Sequence, residues 1–228
     1  MFRDFRLIRC RLLLQAGGGG LDFSHGRKKM LWGEEIKKFF YKMWCLYPRE
    51  ACWQCRRKNT CFYAAMFAPS AALGALPAEA AGMTPYPFVL EPPPSGYYRP
   101  REKTILTVYL LGRGMSYLPY FLEGIKDMGL EGVGRGRKTF TLQEAWLEHP
   151  LQKKIFPLAR FIGAELAPGA VLHGWQVENW AAKAGNVKSI MLNFTSPAFI
   201  RYQNAFLVEP EFKAVLKELV GRLSSLYY

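Results

Sequence analysis

TILTVYLLGRGMSYLPYFLEGIKDMGLEGVGRGRKTFTLQEA, residues 104–145, changes its period twice. Thr104–Leu111 is a run of β-branched, aliphatic and aromatic residues and predicts a strand. Tyr117–Met128 places Leu118, Phe121, Leu122, Ile125 and Met128 at helical spacing, with Pro119 suited to the first turn. Gly129 is expected to stop that helix. A glycine-rich basic loop follows, and a second strand is expected over 138–145.

Outward from this stretch the pattern extends in both directions. In FRLIRCRLLL, residues 5–14, a strand would turn Ile8, Cys10, Leu12 and Leu14 to one side and Arg9 and Arg11 to the other. Residues 32–44 are helical by period, with Ile36, Phe39, Phe40, Met43 and Trp44 on one stripe and Lys37, Lys38 and Lys42 off it. Pro85–Leu90 predicts a short strand, ended by Pro92-Pro93-Pro94. The order strand, helix, strand, strand, helix, strand predicts an α+β chain with a ferredoxin-like, RRM-like βαββαβ domain over residues 1–146. The cysteine-rich segment 45–61 would be an insertion and the Ala/Pro-rich residues 64–84 a linker. Residues 147–228 predict a reduced second α/β domain, with a helix at 151–166, a strand pair at 170–178 and 187–194, and an amphipathic helix at 210–226. That last helix would bury Phe212, Val215, Leu216, Leu219, Val220 and Leu223.

Composition narrows the partner. Across 228 residues, 31 Lys+Arg against 18 Asp+Glu give a net charge of +13, and residues 1–62 carry +9 of it. Half the residues are hydrophobic, so the chain can bury a core and is no disordered basic tail. Such a charge fits a polyanion, although solvated lysines also serve solubility. The arginines at 3, 6, 9 and 11 interrupt any signal-peptide core, and Pro69, Pro77 and Glu79 break the alanine-rich stretch. The expectation is a prokaryotic cytoplasmic protein without a membrane partner.

Three groups of residues carry candidate chemistry. Cys45, Cys52, Cys55 and Cys61, spaced C-x6-C-x2-C-x5-C, suit a structural Zn2+ held by four thiolates, with reduced thiols or disulfides as the alternatives. The loop Gly129–Lys138 holds four glycines with Arg135, Arg137 and Lys138; Gly134 and Gly136 would let backbone amides approach a phosphate. It lacks the Gly-Lys-Ser/Thr ending of a P-loop and follows a helix rather than opening one, which points away from mononucleotides. His25 lies beside Arg27, Lys28 and Lys29, ahead of Lys37 and Lys38. It is either a general base on a ribose 2′-hydroxyl or an ordinary loop histidine. No paired-carboxylate or Ser/His/Asp arrangement is visible, which argues against hydrolases of those classes.

Several ordered segments resemble the RAMP superfamily of CRISPR systems, closest to its repeat-processing (pre-crRNA) endoribonucleases. They are the basic helix running into Cys45, Cys61-Phe62-Tyr63, Pro87–Pro93, Leu110–Arg113 with Tyr117–Phe121, Gly129–Phe140, and Asn193–Pro197. The resemblance implies binding of guide RNA (crRNA), with the glycine-rich loop and Arg113 among the contacts, and other RAMP subunits of an effector complex as partners. Such nucleases continue through a second complete ferredoxin-like domain with its own glycine-rich segment, and His25 lacks a matching motif around it. The resemblance is therefore read as a shortened, non-catalytic subunit gripping the repeat-derived 5′ handle. The alternative is a metal-independent endoribonuclease with His25 as catalytic base.

Overall fold

The computed structural model describes residues 4–23, 32–72, 85–134, 136–158, 166–185, 187–189, 191, 201–202, 205–206, 209 and 211–225. Its strands are β1 (Arg6–Ala16), β2 (Leu21–Asp22), β3 (Phe88–Glu91), β4 (Tyr97–Tyr98), β5 (Lys103–Leu111), β6 (Phe140–Glu148), β7 (Ile155–Pro157), β8 (Leu172–His173), β9 (Arg201–Tyr202) and β10 (Ala205–Phe206). Its helices are α1 (Trp32–Trp44), α2 (Phe62–Phe67), α3 (Pro69–Ala72), α4 (Leu118–Glu131), α5 (Gly174–Ala182) and α6 (Phe212–Ser225). A 3₁₀ turn over Gly112–Tyr117 leads into α4.

The main sheet is antiparallel throughout, in the order β3-β5-β1-β6-β7, with β8 pairing the start of β1. β1 is central because its period-2 pattern supplies the longest apolar row. Ile8, Cys10, Leu12 and Leu14 are fully buried, and they face Val108 and Leu106 on one side and Leu147 and Ala145 on the other. A register shift falls between Leu13 and Leu14 where β6 pairs. Burial pushes the Cys10 thiol up to about 12.

Helices α1 and α4 lie over the buried face. Phe40 of α1, fully buried, meets Phe121 of α4 at 5.2 Å, Phe62 of α2 at 5.5 Å and Phe67 of α2 at 5.6 Å between ring centroids. Gly124 makes this possible, since a methyl group there would overlap the Phe40 ring. Gly129 does the same for α4 against the Phe140 backbone. Gly129 therefore does not stop the helix, contrary to the expectation from sequence. The helix ends two residues later, before Gly132, whose φ of +85° suits a residue without a side chain.

On the opposite face Glu148 accepts a hydrogen bond from Arg9 Nη1 at 3.1 Å and forms an ion pair with Arg11, whose Nε lies 2.7 Å away. Arg9 also lies over the Tyr109 ring, and Tyr109 Oη donates to Glu91 at 2.9 Å. This row crosses four strands, because Arg9 pairs Tyr109 in register and Val89 pairs Tyr109 beyond it.

Four further expectations are corrected. The linker expected from residue 64 is helical as far as it is described. Residues 62–72 form α2 and α3, and Phe62 to Phe67 are all buried, because alanines between aromatic residues let this short helix sit close against Phe40. Residues 73–84 lie outside the described residues. In place of the start of a helix at 151–166 the chain turns and returns as β7 on the β6 edge. Pro157 is tolerated there because it terminates an edge strand. Of the strand expected at 170–178 only Leu172–His173 forms one. The backbone amide of His173 donates to the Gln176 side chain at 2.8 Å and α5 begins. Residues 187–189 and 191 form no strand, and the remainder of 187–194 lies outside the described residues. In α6, Ala214 and Val215 are buried while Phe212, Leu216 and Leu219 are about half exposed, so the expected stripe is rotated.

Phe40→Ala should cost ~3–5 kcal/mol in chemical denaturation, the range for an aromatic removed from a packed core. Leu130→Ala, at a residue 63% exposed, should stay within ~0.5 kcal/mol. Equal losses would mean that the Phe40 contacts do not organise the core. The folded Cys10 thiol keeps its proton up to about 12 while an unfolded one releases it near 9.0. Its contribution is thus complete below pH 9.0 and is lost as the pH rises towards 12. Cys10→Ala should flatten the alkaline fall of Tm relative to the parent protein; an unchanged slope would count against burial as the cause.

Candidate nucleic-acid interface and cysteine cluster

The loop after α4 is a tight hairpin. Val133 and Lys138 exchange both backbone hydrogen bonds at 2.9 Å, and the Arg137 amide donates to the Gly134 carbonyl at 3.1 Å. Gly134 adopts φ +69° and Arg137 φ +42°. The second is unusual, because a Cβ in the left-handed region crowds the backbone. The glycine run after β1 lies alongside: the Gly17 amide donates to the Thr139 carbonyl at 2.8 Å, and a methyl on Gly19 would touch the Lys138 side chain. Two glycine-rich segments more than 100 residues apart in sequence thus share one end of the sheet.

Helix α1 borders the same end. Lys42 Nζ lies 2.7 Å from Glu131 Oε2, and Arg137 Nη2 lies 3.7 Å from the same carboxylate. Lys38 is 3.8 Å from Glu35, whose carboxylate also accepts from the Gly134 amide at 3.4 Å. The side chains of Lys38, Lys42 and Arg137 are about 70% exposed. Ion pairs so solvated contribute ~0–1 kcal/mol, so an incoming phosphate can replace the carboxylates at small cost. Sequence reasoning singles out neither Lys42 nor Glu131 as a partner of the basic loop. The two are joined only by the crossing of α1 and α4, and the Glu35 contact to Gly134 is likewise non-local.

Other candidates lie elsewhere. Lys37 donates to Tyr86 Oη at 3.4 Å and lies 5.9 Å from that ring's centroid, away from the glycine hairpin's carboxylates. Arg113 is exposed on the 3₁₀ turn after β5. Leu7 pairs Leu111, whereas Ala16 pairs Phe140, so the length of β1 separates Arg113 from the hairpin. At ~3.3 Å per residue that is roughly 30 Å. The basic residues expected on one RNA surface are therefore split between two ends. His25, Arg27, Lys28, Lys29 and Arg135 lie outside the described residues.

The cysteine segment occupies the Arg113 end. Cys45 closes the last turn of α1, its amide donating to the Tyr41 carbonyl at 3.0 Å, and Cys61 is the residue before α2. Between them the chain makes only turns. The Cys55 amide donates to the Ala51 carbonyl at 3.0 Å and the Lys58 amide to the Cys55 carbonyl at 3.1 Å. All four cysteines line one cavity of about 500 Å³, together with Trp44, Tyr47, Tyr117 and Tyr120 and with Arg57 and Lys58. Burial, then the neighbouring Cys45, Cys61 and Cys55, hold the Cys52 thiol above its ordinary value. Among the described residues no three His, Cys, Asp or Glu side chains form a group that could hold a metal ion as they stand. That part of the aromatic wall is not visible in sequence, since Tyr117 and Tyr120 come from the start of α4, far along the chain from the cysteines.

Of the remaining histidines, His149 is buried in the turn after β6, where its Nδ1 accepts from the Gln152 amide at 3.2 Å and its Nε2 has no partner. Among the described residues no helix is long and apolar enough to cross a membrane.

No curated protein and no solved structure matches the chain. A family model does: residues 9–164 match AF_1859_N, described as an N-terminal domain. That span runs from the central strand past β7, taking in the cysteine segment, both covering helices and the glycine hairpin. With well over half of its length matched, the chain belongs to the AF_1859_N (N-terminal domain) family.

Proposed function

We propose that this chain binds RNA through the glycine hairpin end of a ferredoxin-like unit. The observation that carries the reading is the meeting of three features: the hairpin Gly132–Lys138, the glycines after β1, and the cations of α1. Glycines let a phosphate approach the backbone closely, and Lys42, Arg137 and Lys138 supply charge around it. The strand order β3-β5-β1-β6, all antiparallel with α1 and α4 on one face, supports reading this unit as ferredoxin-like. The fold by itself names no ligand, and the site carries the argument.

The resemblance to the RAMP superfamily narrows the ligand to guide RNA. The role is then a non-catalytic subunit of a CRISPR effector complex, holding the repeat-derived 5′ handle next to a backbone-forming subunit. The net charge of +13 fits an RNA partner. Binding to phosphates predicts a steep salt dependence, with a slope near −0.7 per phosphate neutralised on a single strand.

The test uses labelled repeat RNA, EDTA and a salt titration, scoring binding and cleavage together. Binding without cleavage is expected. Arg137→Gly gives a sharper outcome. Removing an arginine from φ +42° should leave Tm unchanged or raise it. It should also weaken RNA binding and reduce the salt slope by about one phosphate. Salt-insensitive or absent binding would overturn the reading. EDTA-resistant cleavage abolished by His25→Ala would replace it with the endoribonuclease.

A further inference from the structure

We propose that Cys45, Cys52, Cys55 and Cys61 bind one Zn2+ as a closed four-thiolate site that pins the segment between α1 and α2. The inference is independent of the RNA reading, because it rests on a different end of the molecule. Four side chains that are 7, 3 and 6 residues apart line the same cavity. They also divide the work geometrically. Cys52 and Cys55 flank one tight turn, closed on the Ala51 carbonyl by the amides of Gln54 and Cys55. Cys45 and Cys61 stand at the two points where the segment leaves α1 and enters α2. A single ion would thus tie the turn to both of its anchors.

The segment needs such a tie. Residues 46–60 belong to no helix and pair with no strand. Their large apolar side chains point outward, with Leu46 65% and Trp53 42% exposed, so burial contributes little to holding them. Cys52 and Cys61, by contrast, pack against the core. No side-chain cap hydrogen bond engages the Cys61 sulfur. In the structure no three of these thiols stand as a metal-holding group, so binding draws them inward to the ~2.3 Å of a zinc–sulfur bond.

The charge balances. Arg49, Arg56, Arg57 and Lys58 against Glu50 leave the segment at +3, and a Zn2+ with four thiolates carries −2. Arg57 and Lys58 line the cavity itself. On binding, each thiol S–H bond gives its proton to solvent as a Zn–S bond forms. Four protons leave and nothing is oxidised or reduced, so affinity rises with pH. Four thiolates fill a tetrahedral shell, so the ion has no open position for catalysis and serves the structure.

The experiment is metal analysis of full-length protein purified without chelator, followed by replacement of the metal with Co2+. About one zinc per chain is expected. Cobalt should give intense visible bands of tetrahedral sulfur coordination, saturating at one equivalent and abolished by excess Zn2+. Cys52→Ser with Cys55→Ser should lose the metal, and Cys10→Ala should keep it. Should the double variant fail to fold, alkylation of the parent protein decides: zinc should protect four thiols that a chelator exposes. Absence of both zinc and the cobalt bands would overturn the proposal, as would intrachain disulfides among these cysteines or bound iron with sulfide. Retention of stoichiometric metal by the double variant would overturn it as well.

Discussion

Phe40 is the contact on which the rest of the molecule depends. Its ring touches α2 and α4 at once, so the three helices are fixed relative to one another by one side chain. α1 carries the lysines beside the glycine hairpin and ends just before Cys45; α4 leads into that hairpin; α2 begins just after Cys61. Displacing the ring would shift both candidate sites together. Gly124 is the complementary constraint, because a larger residue would force α1 and α4 apart.

The sheet sets the distances. β1 runs the full length between the two ends, with the glycine hairpin near Ala16 and the Arg113 turn near Leu7. Its apolar side holds the helices, and its polar side carries Arg9 and Arg11 on Glu148. The result is two chemically different poles. One has glycines with exposed cations and interleaved carboxylates. The other has thiols, aromatic rings and the cations Arg57 and Lys58.

The regular elements are legible wherever their pattern is local. The alternation of Ile8, Cys10, Leu12 and Leu14 and the helical spacing of Leu118, Phe121, Leu122, Ile125 and Met128 describe buried faces that the structure contains. Residues 62–72 mislead because alanine favours a helix yet also fills linkers. What settles the matter is the presence of Phe40 beside them, which is far away in sequence. Residues 155–157 mislead because three extended residues carry little periodic signal, and their strand exists only through pairing with β6. Gly129 resembles a helix stop, but the close backbone of Phe140 explains a glycine inside the helix.

Composition, period and spacing by themselves determined an α+β chain with an excess of positive charge, four clustered cysteines and a glycine-rich basic loop. These properties are local, or simple sums, and need no coordinates. Tertiary structure decided which of the charged groups are neighbours. It brought Lys42 to Glu131 and Glu35 to Gly134, placed Arg113 at the other end of β1, and gave the cysteines a wall of Tyr117 and Tyr120. The reason is physical: proximity between distant residues follows from strand register and the crossing of packed helices, and neither is encoded in the spacing of any one segment.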